Sequence, residues 1–235
     1  MLFDKSPNQE DVNKAMADRA RDMSPKINFL FFVRIASIVG NLFLVFVLIS
    51  AMMSGDKGSV QAFSVFSSLI SGVFGIAYGI VVIKLGEYYE EFKTAGICYL
   101  VYAIVSALSA AVGIAVTNIV TAVLVLVYIF KFAEAVKMSL YGIDESVSNG
   151  WNILLLFYKI LLAVLAFCIL LAFVPGINIL ALLVIYLCVP VAVGISIYEL
   201  VLLKMTANSL GRFASSSNVP RTASGTGNDS YLDKF

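Results

Sequence analysis

Histidine is absent from this chain of 235 residues. That removes the commonest general base and the commonest transition-metal ligand, and with them every Ser-His or Cys-His nucleophile pair. Charge is scarce as well. Asp, Glu, Lys and Arg make up 13% of the chain, against about 25% in an ordinary soluble domain. The net charge of +1 leaves no nucleic-acid footprint. Cysteine is limited to Cys98, Cys168 and Cys188, each inside an apolar run and none in a C-x-x-C. Such a set argues against a disulfide framework or a zinc site, and the three read as small hydrophobes in a packed interior. Cys98, near a membrane edge, is a weak match to a lipid-attachment site. Neither a P-loop nor a G-x-S-x-G elbow occurs. No catalytic activity, cofactor or metal is expected.

Apolar residues dominate instead, at 60%, with a mean hydropathy of +0.95. This is the composition of an all-α, polytopic membrane protein. The opening "MLFDKSPNQEDVNKAMADRARDM" has no apolar core and no cleavage site, so it does not read as a signal peptide. A spanning helix needs roughly 20 apolar residues. Residues 27–52 and 62–85 supply two spans. Residues 94–130 carry no charge. As one helix they would be about 55 Å long against a hydrocarbon core of about 30 Å. They must fold back, and Gly113 with Thr117-Asn118 marks the break. Residues 151–198 must do the same at Pro175-Gly176, followed by Asn178. Six spans result, at about 27–52, 62–85, 94–113, 117–138, 150–173 and 178–205, joined as three hairpins within a domain of residues 25–210.

Placing both termini in the cytoplasm puts fifteen of the sixteen basic residues on the inner side, and only Lys57 outside. So strong a bias sets the orientation by the positive-inside rule. The outer connections are almost bare, so polar surface gathers on the cytoplasmic side. The expected location is a multi-pass protein of the plasma membrane.

Hairpin ends resemble one another. "VVIKLGEYY", "EAVKMSLYG" and "VLLKMTANS" each set a Lys at the membrane edge, and "INFLFFVR" and "WNILLLFYK" each place an Asn before a cation. Internal repeats are frequent in transporters, although a snorkelling Lys is also generic anchoring.

Residues 1–24 read as a cytoplasmic amphipathic helix, opened by a capping box at Ser6-Pro7 with Gln9 and carrying Val12, Met16, Ala20 and Met23 on one face. Ser24-Pro25 restarts the chain into the first span. The thin stripe suits the membrane interface, the inner loops or a neighbouring protein. Residues 211–235 read as a disordered tail rich in Ser, Gly and Thr. Its "NDS" sequon at Asn228 is silent if cytoplasmic.

Charges inside spans are the first functional candidates. Arg34 and Lys159 enter helices one and five, and Glu134 and Glu199 stand before the inner ends of helices four and six. All four fall at similar depth, where they form either a ring of ion pairs or an inward-opening solute or proton site. In "SVFSSLISGVFGIAYG", residues Ser64, Ser68, Ser71, Gly75 and Gly79 share one face. Small residues at this spacing let helices approach closely, and "SALSAAVG" on helix three (residues 106–113) is the expected partner. A Ser-lined polar pathway is the alternative. Pro190, with Gly194 a turn later, is a candidate hinge in helix six. Trp151 reads as an interface anchor. The pair Glu90-Glu91 in "EYYEEFK" invites comparison with intramembrane glutamate proteases. Their arginine is replaced by Ala95, however, and their histidines are missing. The segment reads better as an amphipathic loop for a partner or lipid head groups.

Two functions remain open. One is a non-catalytic subunit of a membrane assembly, whose partners are the bilayer, further copies or another membrane protein, and a cytoplasmic protein held by residues 1–23. The other is a small-solute or ion transporter or channel.

Overall fold

The computed structural model of the protein describes residues 9–53, 57–112, 117–172 and 178–217. Among them are six α-helices: α1 Gln9–Met53, α2 Lys57–Leu85, α3 Glu90–Val112, α4 Thr117–Leu140, α5 Glu145–Ala172 and α6 Asn178–Ser216. The two long apolar runs divide where expected, because α3 ends at Val112 and α4 starts at Thr117, and α5 ends at Ala172 and α6 starts at Asn178. Four helices are long and apolar enough to cross a membrane in their described parts: Val12–Gly40, Glu90–Leu108, Glu145–Cys168 and Tyr186–Ser216. Ile70–Leu85 is a shorter apolar helix.

The helices form a closed ring. Each packs on its neighbours in sequence, and α1 closes on α6. The contacts set direction. Gly79 faces Leu100, Gly75 faces Ala103 and Gly72 faces Ala107, so α2 and α3 run antiparallel. Ser24 bonds to Ala207, Lys204 to Asn28 and Arg34 to Glu199, so α1 and α6 do likewise. The core sits toward the end that carries the start of α1 and the finish of α6. Met23, Ile27, Leu30, Val82, Leu85, Phe92, Phe132, Leu140, Trp151, Leu154, Leu203 and Leu210 all pack there.

Several expectations are corrected. The chain does not restart at Ser24-Pro25, because α1 continues through Pro25 for 45 residues. Ser24 Oγ donates to Ala207 O at 2.8 Å, so this point of the helix is tied to α6 and the ring is accommodated without a break. The stripe on residues 12–23 is covered from within the chain: Ala17, Ala20 and Met23 are buried, in a core shared with Ala207, Leu210 and Ala214 for all but Ala17. Val12 stays exposed. Ser6 and Pro7 lie outside the described residues. The tail does not begin at Gly211, because α6 runs on to Ser216. Gly211 faces Ser24 Oγ, where a Cβ would stand 3.1 Å away, so its smallness serves the α1–α6 approach. Residues 218–235, Asn228 among them, lie outside the described residues.

The loop at 86–89 is likewise used internally. Phe92 is buried, and the hydroxyl of Tyr88 accepts from Lys26 Nζ at 3.0 Å and donates to Asp22 at 3.4 Å. Between α4 and α5, Gly142 adopts φ 73°, a left-handed conformation suited to glycine past a helix end. Ile143 N and Asp144 N both donate to Leu140 O, at 2.9 and 3.0 Å. Asp144 then caps α5: Val147 N donates to its Oδ1 at 3.1 Å, and Ser209 of α6 donates to Oδ2 at 2.6 Å. The Ser209 bond, the Val147 amide and the nearby Arg212 hold the Asp144 carboxyl below its usual pKa, against a smaller opposing effect of burial.

Candidate functional site

The ring of helices brings two of the four candidate charges together and separates the other two. Arg34 comes from α1 and Glu199 from α6. Arg34 Nη2 lies 3.5 Å from Glu199 Oε2, and the Glu199 side chain is only 5% exposed. Burying a carboxylate is costly unless it is paired and hydrogen-bonded, and here the second bond comes from α5: Tyr158 Oη donates to Glu199 Oε2 at 3.2 Å. Arg34 Nη1 also donates to Tyr99 Oη of α3, at 3.3 Å. Arg34 Nε is the one buried side-chain polar atom, among the described residues, with no hydrogen-bond partner.

Tyr99 leads into an aromatic cluster that extends to α2 and α4. Its ring centroid lies 4.8 Å from that of Tyr78 and 4.6 Å from that of Tyr128. The hydroxyls of Tyr78 and Tyr128 share a bond of 2.7 Å. Phe132 packs on Tyr128 at 5.5 Å and on Trp151 at 5.7 Å. One charge pair and its tyrosines thus join all six helices. The cavity beside Glu199, lined by Tyr128, Phe132, Trp151, Leu154 and Tyr158 among others, measures about 10 Å³. A water requires roughly 10–15 Å³, so in this conformation the cavity has room for about one water and none for a larger solute.

Glu134 and Lys159 stand apart from this cluster. Glu134 pairs with Lys131 one turn away, at 3.0 Å, and both side chains are more than 40% exposed. Lys159 Nζ stands 6.0 Å from the centre of the Phe130 ring. The expected ring of four charges is therefore one buried pair and one local surface pair. The cause is register: Arg34 and Glu199 face inward along α1 and α6, whereas Lys159 lies on the exposed side of α5.

The small-residue face behaves as a packing surface where it is described. A Cβ added at Gly75 would stand 2.7 Å from Ala103 Cβ, and one at Gly79 would stand 3.0 Å from Leu100 Cβ. Ser71 is half-buried. The side chains of Ser64 and Ser68 lie outside the described residues. The glycines meet α3 at Leu100, Ala103 and Ala107, so the contact begins earlier than the 106–113 segment expected. Pro190 and Gly194 sit inside an unbroken α6, and a Cβ at Gly194 would meet nothing within 4 Å. Trp151 is not an interface anchor. It is buried, and its Nε1 donates to Thr206 Oγ1 at 3.0 Å. The three cysteines are free, and Cys168 is buried.

Sequence reasoning missed the four tyrosines. The available signal was depth. Tyr78 stands six residues before Lys84, inside an apolar helix, where a hydroxyl needs a partner.

No family model matches this chain, and comparison with curated proteins and with solved structures finds no match.

Proposed function

We propose that this protein is a non-catalytic integral membrane subunit that acts as a structural or partner-binding element of a membrane assembly. In this reading its six helices span the plasma membrane as three hairpins with both termini in the cytoplasm. The observation that carries the reading is the closed state of the buried Arg34–Glu199 site. Arg34 and Glu199 are occupied by each other and by Tyr99 and Tyr158, beside a cavity with room for no more than about one water. A transport carboxylate must reach its cargo, and among the described residues both bonds of Glu199 go to Arg34 and Tyr158. The pair therefore serves best as a buried lock that fixes the register of α1, α5 and α6.

Partner binding falls to the surfaces left over. The inward stripe of residues 12–23 is used against α6, so its outer polar face, with Lys14, Asp18 and Arg21, is the part free to meet a cytoplasmic protein. Further copies of the chain or another membrane protein would pack on the exposed apolar helix faces.

The test is extraction of the intact protein from its native membrane in mild detergent, with composition read by native mass spectrometry. A stoichiometric second protein is expected. A lone species that catalyses solute flux in liposomes, with flux lost in Glu199→Gln, would overturn the proposal in favour of a transporter or channel.

A further inference from the structure

A second feature lies outside the charge site. At the end of the bundle that carries the start of α1 and the finish of α6, the two helices border an open groove of about 1070 Å³. Its lining includes Ser24, Asn28, Lys204, Asn208, Arg212 and Ser215. Two cations, two amides and, with Ser216, three hydroxyls therefore line one space, and among the described residues no carboxylate lines it. Lys204 is held in place without being neutralised. Its Nζ donates to Asn28 Oδ1 at 2.8 Å and lies 5.3 and 5.6 Å from the ring centres of Phe31 and Phe32. Arg212 is exposed. Asp144, a carboxyl that Arg212 influences, is engaged by Ser209 and Val147.

The helices that border the groove change character along their length. On α1, Pro25 leads at helical spacing to Phe29 and Phe32, which are 48% and 55% exposed. On α6, Arg212 and Asn208 lead to Met205 and Val201, which are 42% and 48% exposed. A cationic pocket thus passes directly into two outward apolar stripes. That pattern matches an amphiphile with an anionic head and hydrocarbon tails.

We propose that this groove binds the phosphate head group of an anionic phospholipid, with Lys204 and Arg212 as counter-charges, the Asn28 and Asn208 amides as hydrogen-bond donors, and the acyl chains along Phe29, Phe32, Val201 and Met205. Basic pockets between membrane helices recognise such head groups by charge and hydrogen bonding. The inference rests on the membrane location alone. It is independent of whether the chain is a subunit or a transporter.

The full chain, purified in a mild neutral detergent, is titrated with dioleoyl phosphatidylglycerol and with dioleoyl phosphatidylcholine, and bound lipid is read by native mass spectrometry. The expected result is about a ten-fold preference for the anionic lipid. It is lost in Lys204→Gln with Arg212→Gln and kept in Lys204→Arg with Arg212→Lys. The emission of Trp151, the only tryptophan, reports whether each variant retains its fold. Should the double variant fail to fold, Arg212→Gln alone, at the exposed rim, must still weaken the preference. Equal retention of the two lipids would overturn the proposal, as would a preference indifferent to these substitutions. Displacement of the lipid by millimolar inorganic phosphate, with phosphate itself retained, would make this a site for free phosphate and would also overturn it.

Discussion

At the scale of single residues, Glu199 governs the interior. Removing one member of a buried ion pair strands the other, at a cost of about 3–5 kcal/mol, whereas replacing both by apolar residues of similar volume is often neutral. Glu199→Ala is therefore expected to lose about that much stability, and Arg34→Met with Glu199→Met to recover most of it. Reversible unfolding of the detergent-solubilised protein, followed through Trp151 emission, measures both. A Glu199→Ala protein as stable as the parent would show that the pair is not a lock. Half of this site was legible in the sequence. A charge inside an apolar helix announces itself because it must find a partner, and Arg34 and Glu199 did. Which cation meets which anion depends on helix rotation, which composition does not encode. Lys159, expected at a depth similar to that of Arg34, is exposed and stands beside Phe130. The tyrosines stayed hidden for a related reason. Near a membrane edge tyrosine ordinarily marks the interface, and only the fold shows that Tyr78 and Tyr128 are buried and bonded to each other.

At the scale of elements, α2 and α3 depend on the absence of side chains. Gly75 has no room for a Cβ, since Ala103 Cβ would lie 2.7 Å away. Gly75→Ile is expected to cost about 1–3 kcal/mol by overpacking, and Ala103→Gly on the facing helix to restore part of the loss. The same unfolding assay decides, and full tolerance of isoleucine would mean the two backbones are not in close contact there. The α4–α5 connection carries a different kind of prediction. Because the folded protein holds Asp144 below its usual pKa, the unfolded chain takes up a proton more readily as acid is added. The capping interaction therefore contributes fully above the ordinary carboxyl value of about 3.9 and is lost as pH falls through the lower folded value. Asp144→Asn keeps a good helix cap and should flatten the loss of thermal stability between neutral pH and pH of about 3. Asp144→Ala should cost about 1 kcal/mol at neutral pH. Most helix ends here were readable, because a run of apolar residues longer than a bilayer must turn and Gly, Pro and Asn mark where. Pro25 was the exception. A proline normally ends a helix, and here the ring is absorbed where Ser24 ties α1 to α6.

At the scale of the whole molecule, the two longest helices decide how the chain meets its surroundings. α1 has 45 residues and α6 has 39. At about 1.5 Å per residue they are roughly 67 and 58 Å long, well beyond a bilayer of about 40–45 Å including head groups. Their excess lies at one end, where Ala20, Met23, Leu210 and Ala214 bury against one another in the shared core and most of the basic residues stand. Exposing that much charge on the outer face would defy the positive-inside bias. The paired ends, with the turns at 86–89 and 141–144, should therefore be cytoplasmic, and the three remaining connections should face out. Replacing Cys98, Cys168 and Cys188 by alanine provides a clean background for Lys57→Cys and, at the 80%-exposed Tyr141, Tyr141→Cys. A membrane-impermeant maleimide applied to intact cells should label the cysteine at position 57 at once, and the one at 141 only after permeabilisation. Labelling of both from the same side would mean an even number of crossings between the two positions, so that one of the second, third and fourth helices, or all three, does not span. The ring of helices would then have to be threaded through the membrane in another way.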